Sequence, residues 1–149
     1  MPPEISVPLC IEQGSIYHFL LEALNHDGTN YRGNRFFIVL NVNPKTDELL
    51  VLTTITSKIQ RAEEFVQKIG EDPQTIVKIS TSDFSRLSRD SIVNCNNVYS
   101  MTKDDLVIRL EGDGAVVFFE KLPKSTIESL VSGVLKSNQV SNEHKKLLI

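Results

Sequence analysis

The chain has 149 residues, a formal net charge of -3 at pH 7, 40% hydrophobic residues and 23% charged residues. These values are typical of one globular domain with a buried core, and the net charge excludes a basic footprint over the whole surface. A small concave nucleic-acid site remains compatible with them, because such a site needs only a local cluster of Arg and Lys.

The sequence shows no pattern typical of a membrane span, a secretory signal or a metal site. No window of about 18 apolar residues occurs, so we expect no membrane-spanning helix. The first residues lack a basic region followed by an apolar core, so we expect no secretory signal and a cytoplasmic protein. Cys10 and Cys95 lie far apart without the spacing of zinc ligands, which predicts reduced thiols, no metal and no cofactor.

The first part of the chain is predicted to contain an arm, one strand and one loop. Residues 1–13 hold three prolines and few periodic apolar positions, which indicates an N-terminal arm. Residues 14–21 contain the isoleucine and aromatic residues typical of a strand. The polar, glycine-containing stretch 25–34 predicts a loop of the kind that carries binding groups at the mouth of a sheet.

The central feature of the sequence is a predicted antiparallel hairpin over residues 35–57. Two apolar runs, 36–42 and 49–52, are separated by the turn residues 43–47. Antiparallel pairing brings Arg35, at the start of the first strand, close to hydroxyl groups at the end of the second strand. These hydroxyls belong to Thr53, Thr54, Thr56 and Ser57.

The remainder of the chain is predicted to form two helices, several short strands and a polar tail. A helix is predicted over residues 58–70. A closing amphipathic helix is predicted to begin within residues 123–125, where Ser125 and Glu128 fit a capping box. The predicted strands cover residues 75–79, 91–99, 106–110 and 115–119, and the last two form a hairpin around the turn 111–114. The tail, residues 137–149, is expected to fray.

This series of elements predicts a mainly β fold, a small β-barrel or curled sheet with appended helices. The absence of βαβ alternation argues against a doubly wound parallel sheet. We expect one domain over residues 14–136, preceded by the arm 1–13 and followed by the tail 137–149.

The candidate site residues suit an oxyanion such as a phosphate. A guanidinium from Arg32 or Arg35 can hold two phosphate oxygens, while neighbouring hydroxyls bind the others. The alternative is a solvated arginine at a strand end beside threonines that simply favour a sheet. His26, in the polar loop, is a candidate acid or base. His18 alternates with aromatic residues and is interpreted as a structural strand residue, and His144 as a surface residue.

The order of motifs along the chain resembles the MazF/PemK/Kid toxins of bacterial type II toxin–antitoxin systems. A Gly-x-Ile-aromatic strand is matched by residues 14–17, and an arginine followed by an apolar strand by residues 35–40. A strand that ends in Thr-Ser is matched by residues 55–57, and an Asp-Ser strand and turn by residues 90–101. A C-terminal amphipathic helix closes the domain in both.

The resemblance implies an SH3-like barrel, PemK-like in its appended helices, that forms a homodimer and has an antitoxin protein as partner. It also implies a metal-independent endoribonuclease that cleaves single-stranded RNA by attack of the ribose 2′-OH on the adjacent phosphate. Carried over by position, the catalytic residues are Arg35, Thr56 and His26. The implied RNA-binding residues are Arg32, Thr54, Ser57, Lys58, Asn94 and Asn96.

A second hypothesis is a non-catalytic SH3-like module that binds nucleic acid or a partner protein through the same groove. Asn94 and Asn96 stand where some members of the family carry Arg and Asp, and an asparagine supplies hydrogen bonds but neither charge nor a general base. The two hypotheses differ at Arg35, which is essential to turnover in the first and contributes only to binding in the second.

Overall fold

In a computed structural model of the chain, the structure describes residues 2–21 and 33–149. Within these ranges the strands are β1 (Ile16–Phe19), β2 (Arg35–Val39), β3 (Leu50–Thr56), β4 (Ile76–Ile79), β5 (Ser91–Asn94), β6 (Tyr99–Met101) and β7 (Val116–Phe118). The helices are α1 (Pro3–Cys10), α2 (Ile59–Ile69), α3 (Lys103–Leu110), α4 (Lys124–Lys136) and α5 (Asn142–Lys146), with a 3-10 helix at Pro73–Thr75. In neither described range is a helix both long and apolar enough to cross a membrane.

The strands form one antiparallel sheet in the order β4-β5-β3-β2-β1-β7, and β6 pairs with β3 beside this path. The mainly β fold with appended helices is confirmed. The sheet is open, however, because no pairing among the described strands joins β4 to β7. The expected closure into a barrel is therefore not what the described residues show. The short edge strands, of four and three residues, each pair on one side only.

Helices cover both faces of the sheet. One core lies under α4 and includes Ile38, Val51, Ile55, Val93, Leu130 and Val134. The other lies under α1 and α3 and includes Tyr17, Phe19, Phe37, Val39, Leu52 and Leu106. Successive side chains of a strand point to opposite faces, so β2 and β3 supply residues to both cores. These two strands are consequently buried on both sides, which explains their continuous apolar runs.

The central hairpin and the helix after it are confirmed. In the β2–β3 pair, Phe37 lies opposite Thr54 and Val39 opposite Leu52. The helix predicted over residues 58–70 is α2, which buries Ala62 and Val66. It ends at Gly70, whose φ of 74° is the left-handed conformation that glycine adopts without strain.

The predicted hairpin of residues 106–110 and 115–119 is wrong. Residues 103–110 form helix α3, because Thr102 caps it by accepting a hydrogen bond from the backbone N–H of Asp105 at 3.1 Å. Asp104 and Asp105 lie in the first turn, where carboxylates favour the helix dipole. Because residues 103–110 are helical, they are not available as a partner strand, and β7 pairs with β1 instead.

Two smaller predictions also fail. The strand predicted over residues 91–99 is two strands, β5 and β6, with a turn between them. The capping box at Ser125 is not formed, because the N-cap of α4 is Pro123, so Ser125 already lies inside the helix, and no side chain caps it.

Both ends of the described chain are packed rather than loose. The arm contains α1, which contacts α3 and buries Val7. The tail, expected to fray, contains α5 and buries Leu148, which is 2% exposed. Near the start of the tail, the carboxylate of Glu71 accepts hydrogen bonds from the backbone N–H of Asn138 and the side chain of Gln139, each at 3.1 Å.

Candidate functional site

Arg35 and Thr56 lie at the same end of the central hairpin. Arg35 begins β2 and Thr56 ends β3. The register that sets Phe37 opposite Thr54 would place Arg35 opposite Thr56 one step further along the same face. Arg35 is only 8% exposed, so its stem is packed into the protein while its side chain reaches the surface clefts described next.

Two clefts meet at this pair of residues. The loop-side cleft, of about 310 Å³, extends towards the loop of residues 80–90 and is bounded by His18 on β1. The helix-side cleft, of about 210 Å³, extends towards α2. Arg35, Thr56 and Lys58 line both clefts. The helix-side cleft also has Arg61, Phe65, Asn94, Asn97 and Tyr99 in its wall.

The clefts are basic although the chain as a whole is acidic. Arg35, Lys58, Arg86 and Arg89 line the loop-side cleft, and Arg61 adds a further cation on the helix side. Among the described residues that line the two clefts there is no Asp or Glu. A concave surface lined by one sign of charge attracts the opposite sign, so this region suits an anion.

The hydroxyls of the central hairpin differ in what they can do. Thr56 Oγ1 accepts a hydrogen bond from the backbone N–H of Lys58 at 3.1 Å, which leaves its own proton to donate to a ligand. Thr54 Oγ1 donates to the carbonyl of Phe36 at 2.9 Å, so its proton is already used in a hydrogen bond within the sheet. Thr53 is fully buried, whereas Ser57 is exposed at the mouth of the loop-side cleft.

The two asparagines of the predicted RNA-binding set are placed differently. Asn94 lines the helix-side cleft. Asn96 is 5% exposed and lines neither cleft. Its Nδ2 donates to Thr75 Oγ1 at 2.8 Å and to Asn94 Oδ1 at 3.0 Å, and its Oδ1 accepts from Ser137 Oγ at 2.5 Å. Asn96 is therefore in a position to orient Asn94 but not to touch a ligand in either cleft.

The structure brings His18 to the loop-side cleft, although the sequence pattern indicated only a strand residue. The centre of the His18 ring lies 4.5 Å from the centre of the Phe36 ring. Desolvation lowers the pKa of His18 below its usual value, and hydrogen bonds with the backbone of Gly114 and Asn34 act in the opposite direction. The imidazole is thus biased towards its neutral form and is tied to the neighbouring backbone. Two other predicted site residues, His26 and Arg32, lie outside the described residues.

Sequence reasoning missed Arg86 and Arg89. The segment that carries them was interpreted only as a loop or a single helical turn. A detectable signal was present, since the two arginines lie three residues apart in a serine-rich loop. No group of three or more His, Cys, Asp or Glu residues that could hold a metal ion occurs within residues 2–21 and 33–149.

Comparison with known proteins gives a family and a fold. The family model described as PemK-like, MazF-like toxin of type II toxin-antitoxin system matches residues 12–137. A solved structure of an endoribonuclease in complex with its cognate antitoxin, from a mycobacterial species, matches with a TM-score of 0.54 at 13% identity. The match covers 89% of this chain and 98% of that chain, and at this identity it shows a shared fold. No curated protein sequence matches the chain.

Proposed function

The chain belongs to the PemK-like, MazF-like toxins of type II toxin–antitoxin systems, and from this premise we propose that it is a metal-independent endoribonuclease acting on single-stranded RNA. The membership agrees with the motif order of the sequence. The proposed chemistry is attack of a ribose 2′-OH on the adjacent phosphate.

The observation that carries this proposal is the position of Arg35. The side chain of Arg35 is almost buried and lines both basic clefts, which meet at this residue. Thr56 also lines both clefts. A guanidinium held in a partly desolvated wall interacts with developing negative charge more strongly than one in water. It also needs little reorganisation at the moment of reaction, because the strand already fixes its position.

In the proposed reaction, the bond between O2′ and phosphorus forms while the bond between phosphorus and O5′ breaks. The 2′-OH loses its proton, O5′ gains one, and the products carry a 2′,3′-cyclic phosphate and a 5′-OH. Arg35 would hold two phosphate oxygens with its planar fork, and Thr56 Oγ1 would donate to the same phosphate. The family resemblance assigns the proton transfers to His26 and Arg35. Positioning and electrostatic stabilisation are sufficient for such a step without a metal.

The other residues predicted to bind RNA also belong to this proposal. Ser57 and Lys58 are exposed at the clefts and would contact the RNA backbone, and Arg32 would add a further cation. Thr54 and Asn94 line the helix-side cleft and would lie beside a bound nucleotide. We assign Asn96 the supporting role of holding Asn94.

We further propose that the protein forms a homodimer, acts in the cytoplasm and has an antitoxin partner. The similar mycobacterial endoribonuclease is itself in complex with an antitoxin. An acidic antitoxin segment lying over the Arg35 clefts would be complementary to their charge and would compete with RNA. If an acidic peptide of this kind fails to displace RNA from the protein, this part of the proposal is wrong.

The deciding experiment is cleavage of a long, mixed-sequence single-stranded RNA in EDTA. Wild type should give discrete fragments with cyclic phosphate ends, and Arg35→Ala should be slower by at least about 10²-fold, as for the loss of one oxyanion-binding donor. Arg35→Lys keeps the charge but loses the fork, and it tests whether geometry matters. Circular dichroism of both variants checks that they are folded.

The alternative function is a non-catalytic nucleic-acid-binding module. The observation in its favour is that Asn94, a neutral residue at a position where the family resemblance implies a charge, lines the helix-side cleft. If wild type leaves RNA intact under several salt conditions and yet binds it in a way that depends on Arg35, this result would replace the endoribonuclease proposal by the binding-module proposal.

A further inference from the structure

The loop of residues 80–90, which links β4 to β5, is built as a rigid element. Asp83 Oδ2 accepts hydrogen bonds from the backbone N–H and the hydroxyl of Ser80 at 2.8 and 2.9 Å. Asp90 Oδ1 accepts from the backbone N–H of Thr81 at 3.2 Å. Phe84, in the middle of the loop, is fully buried and belongs to the core under α4. The loop is therefore held at both ends and at its centre.

A second set of contacts ties this loop to residues 118–120, at the end of β7 and directly after it. Glu120 accepts hydrogen bonds from the backbone N–H of Ser85 at 3.0 Å and from its hydroxyl at 2.6 Å. The guanidinium carbon of Arg86 lies 5.5 Å from the centre of the Phe118 ring, within the range of a cation–π contact. The aromatic ring thus helps to fix the arginine beside the loop-side cleft.

The carboxylates near the loop are committed elsewhere. Asp83 and Asp90 accept hydrogen bonds inside the loop, and neither lines the cleft. Glu120 is bonded to Ser85 and also does not line the cleft. The pKa of Glu120 lies below its usual value chiefly because of the Ser85 hydrogen bonds, and the charge of Arg86 adds a smaller contribution. The loop therefore presents its two arginines to the cleft and keeps its acids out of it.

The number of cations exceeds what one phosphate requires. Arg35, Lys58, Arg86 and Arg89 share a cleft of about 310 Å³, together with the hydroxyls of Ser57, Ser88 and Ser91. A single phosphodiester carries one negative charge, and the proposed reaction already assigns that phosphate to Arg35 and Thr56. A flexible nucleic acid strand presents a further phosphate at each nucleotide.

We propose that Arg86 and Arg89 of the 80–90 loop form a second phosphate-binding subsite, which holds a phosphodiester next to the one at Arg35. This inference rests on the proposed function in that its ligand is single-stranded RNA. The loop then determines the affinity and the register of the RNA, while Arg35 serves the chemical step. Loss of Arg86 should raise KM and leave kcat nearly unchanged, because its contact is equal in the ground state and the transition state.

The test measures binding and cleavage separately. Binding is followed by fluorescence anisotropy with a 2′-O-methyl oligonucleotide, which lacks the attacking hydroxyl and cannot be cut. Arg86→Ala and Arg89→Ala should each weaken binding about tenfold, the usual effect of removing a charge-assisted hydrogen bond. The slope of log affinity against log salt should fall by about 0.7 for each phosphate that the variant no longer binds. Lys45→Ala, at an exposed turn position outside both clefts, removes the same charge and should change neither value.

Arg86→Lys is the control for a failure to fold. This variant retains the charge, so it should preserve the salt slope while losing part of the affinity. If wild type cleaves RNA but the Arg86 and Arg89 variants bind and cleave like Lys45→Ala, the second subsite is refuted and the endoribonuclease proposal stands. If wild type binds without cleaving, and the two variants still lose affinity and salt slope, the endoribonuclease proposal fails and the phosphate subsite stands.

Discussion

Asn96 Nδ2 donates a hydrogen bond to Thr75 Oγ1 at 2.8 Å, and this contact ties the turn after β5 to the 3-10 helix Pro73–Thr75. Asn96 Oδ1 in turn accepts from Ser137 Oγ at the end of α4. One buried amide thus joins three separate elements. The family resemblance placed this residue among the RNA contacts, whereas its geometry gives it a supporting role behind Asn94.

Replacing Asn96 with alanine should lower the free energy of unfolding by about 1–3 kcal/mol, because it leaves the hydroxyl of Ser137 buried without its acceptor. Urea unfolding followed by circular dichroism measures this change. Asn97→Ala, at the exposed neighbouring position, should stay within about 0.5 kcal/mol of wild type. Equal stability of the two variants would show that the Asn96 network does not support the fold.

The hydroxyl of Thr56 should raise the cleavage rate by donating a hydrogen bond to the phosphate. Thr56→Val removes the donor at nearly constant volume and should lower the single-turnover cleavage rate about 10- to 100-fold, the effect of losing a hydrogen bond to a charged group. Thr56→Ser keeps the hydroxyl and should retain most of the rate. A control is Thr46→Val in the exposed β2–β3 turn. If the valine and serine variants are equally slow, the hydroxyl is not the active group.

Gly133 allows α4 to approach the turn after β5. A Cβ at this position would lie 2.8 Å from Cys95 Sγ and 3.3 Å from the carbonyl oxygen of Gln74. Gly133→Ala should therefore lower the free energy of unfolding by about 1–3 kcal/mol despite the better helix propensity of alanine. Thermal and urea unfolding measure the loss.

Two further variants test whether this crowding is the cause. Ser132→Ala, at the exposed neighbouring position of α4, should leave stability nearly unchanged. In a Cys95→Ala background the sulfur is gone, so the penalty of Gly133→Ala should shrink. An undiminished penalty in that background would point away from the Cys95 contact.

Glu71 should make the attachment of the tail depend on pH. Its pKa lies below the usual 4.5, first because of the backbone hydrogen bond from Asn138 and then because of the side chain of Gln139. A pKa that is lower in the folded state than in the unfolded state means that the ionised group stabilises the fold. This contribution is complete above pH 4.5 and is lost as the pH falls through the folded-state pKa.

Denaturant unfolding at several pH values measures this dependence. Glu71→Gln should be less stable than wild type near pH 7, and the difference between the two should narrow below pH 4.5. Glu63→Gln, on the exposed side of α2, serves as the control for simple loss of a carboxylate. A constant difference between wild type and Glu71→Gln across the acid range would contradict the assignment.

Local patterns in the sequence were sufficient for several features of this protein. The apolar runs around residues 43–47 predicted the β2–β3 pair, and Gly70 marked the end of α2. Antiparallel pairing of the start of β2 with the end of β3 predicted that Arg35 lies beside the threonines. The order of short motifs indicated the family that the comparison confirmed. Each of these signals spans few residues or lies within one hairpin, where chain connectivity leaves little freedom.

The tertiary structure alone decided the features that depend on contacts between distant segments. Arg86 reaches the cleft of Arg35 because Ser85 bonds to Glu120, 35 residues away along the chain. Asn96 is buried because Ser137, 41 residues further on, packs against it. Residues 106–110 form a short, mostly apolar run like that of a strand, yet a cap at Thr102 and burial of Leu106 against the sheet make them a helix. A single sequence records local propensity, but it does not record which distant surface will bury a given side chain, and that burial determines the final state.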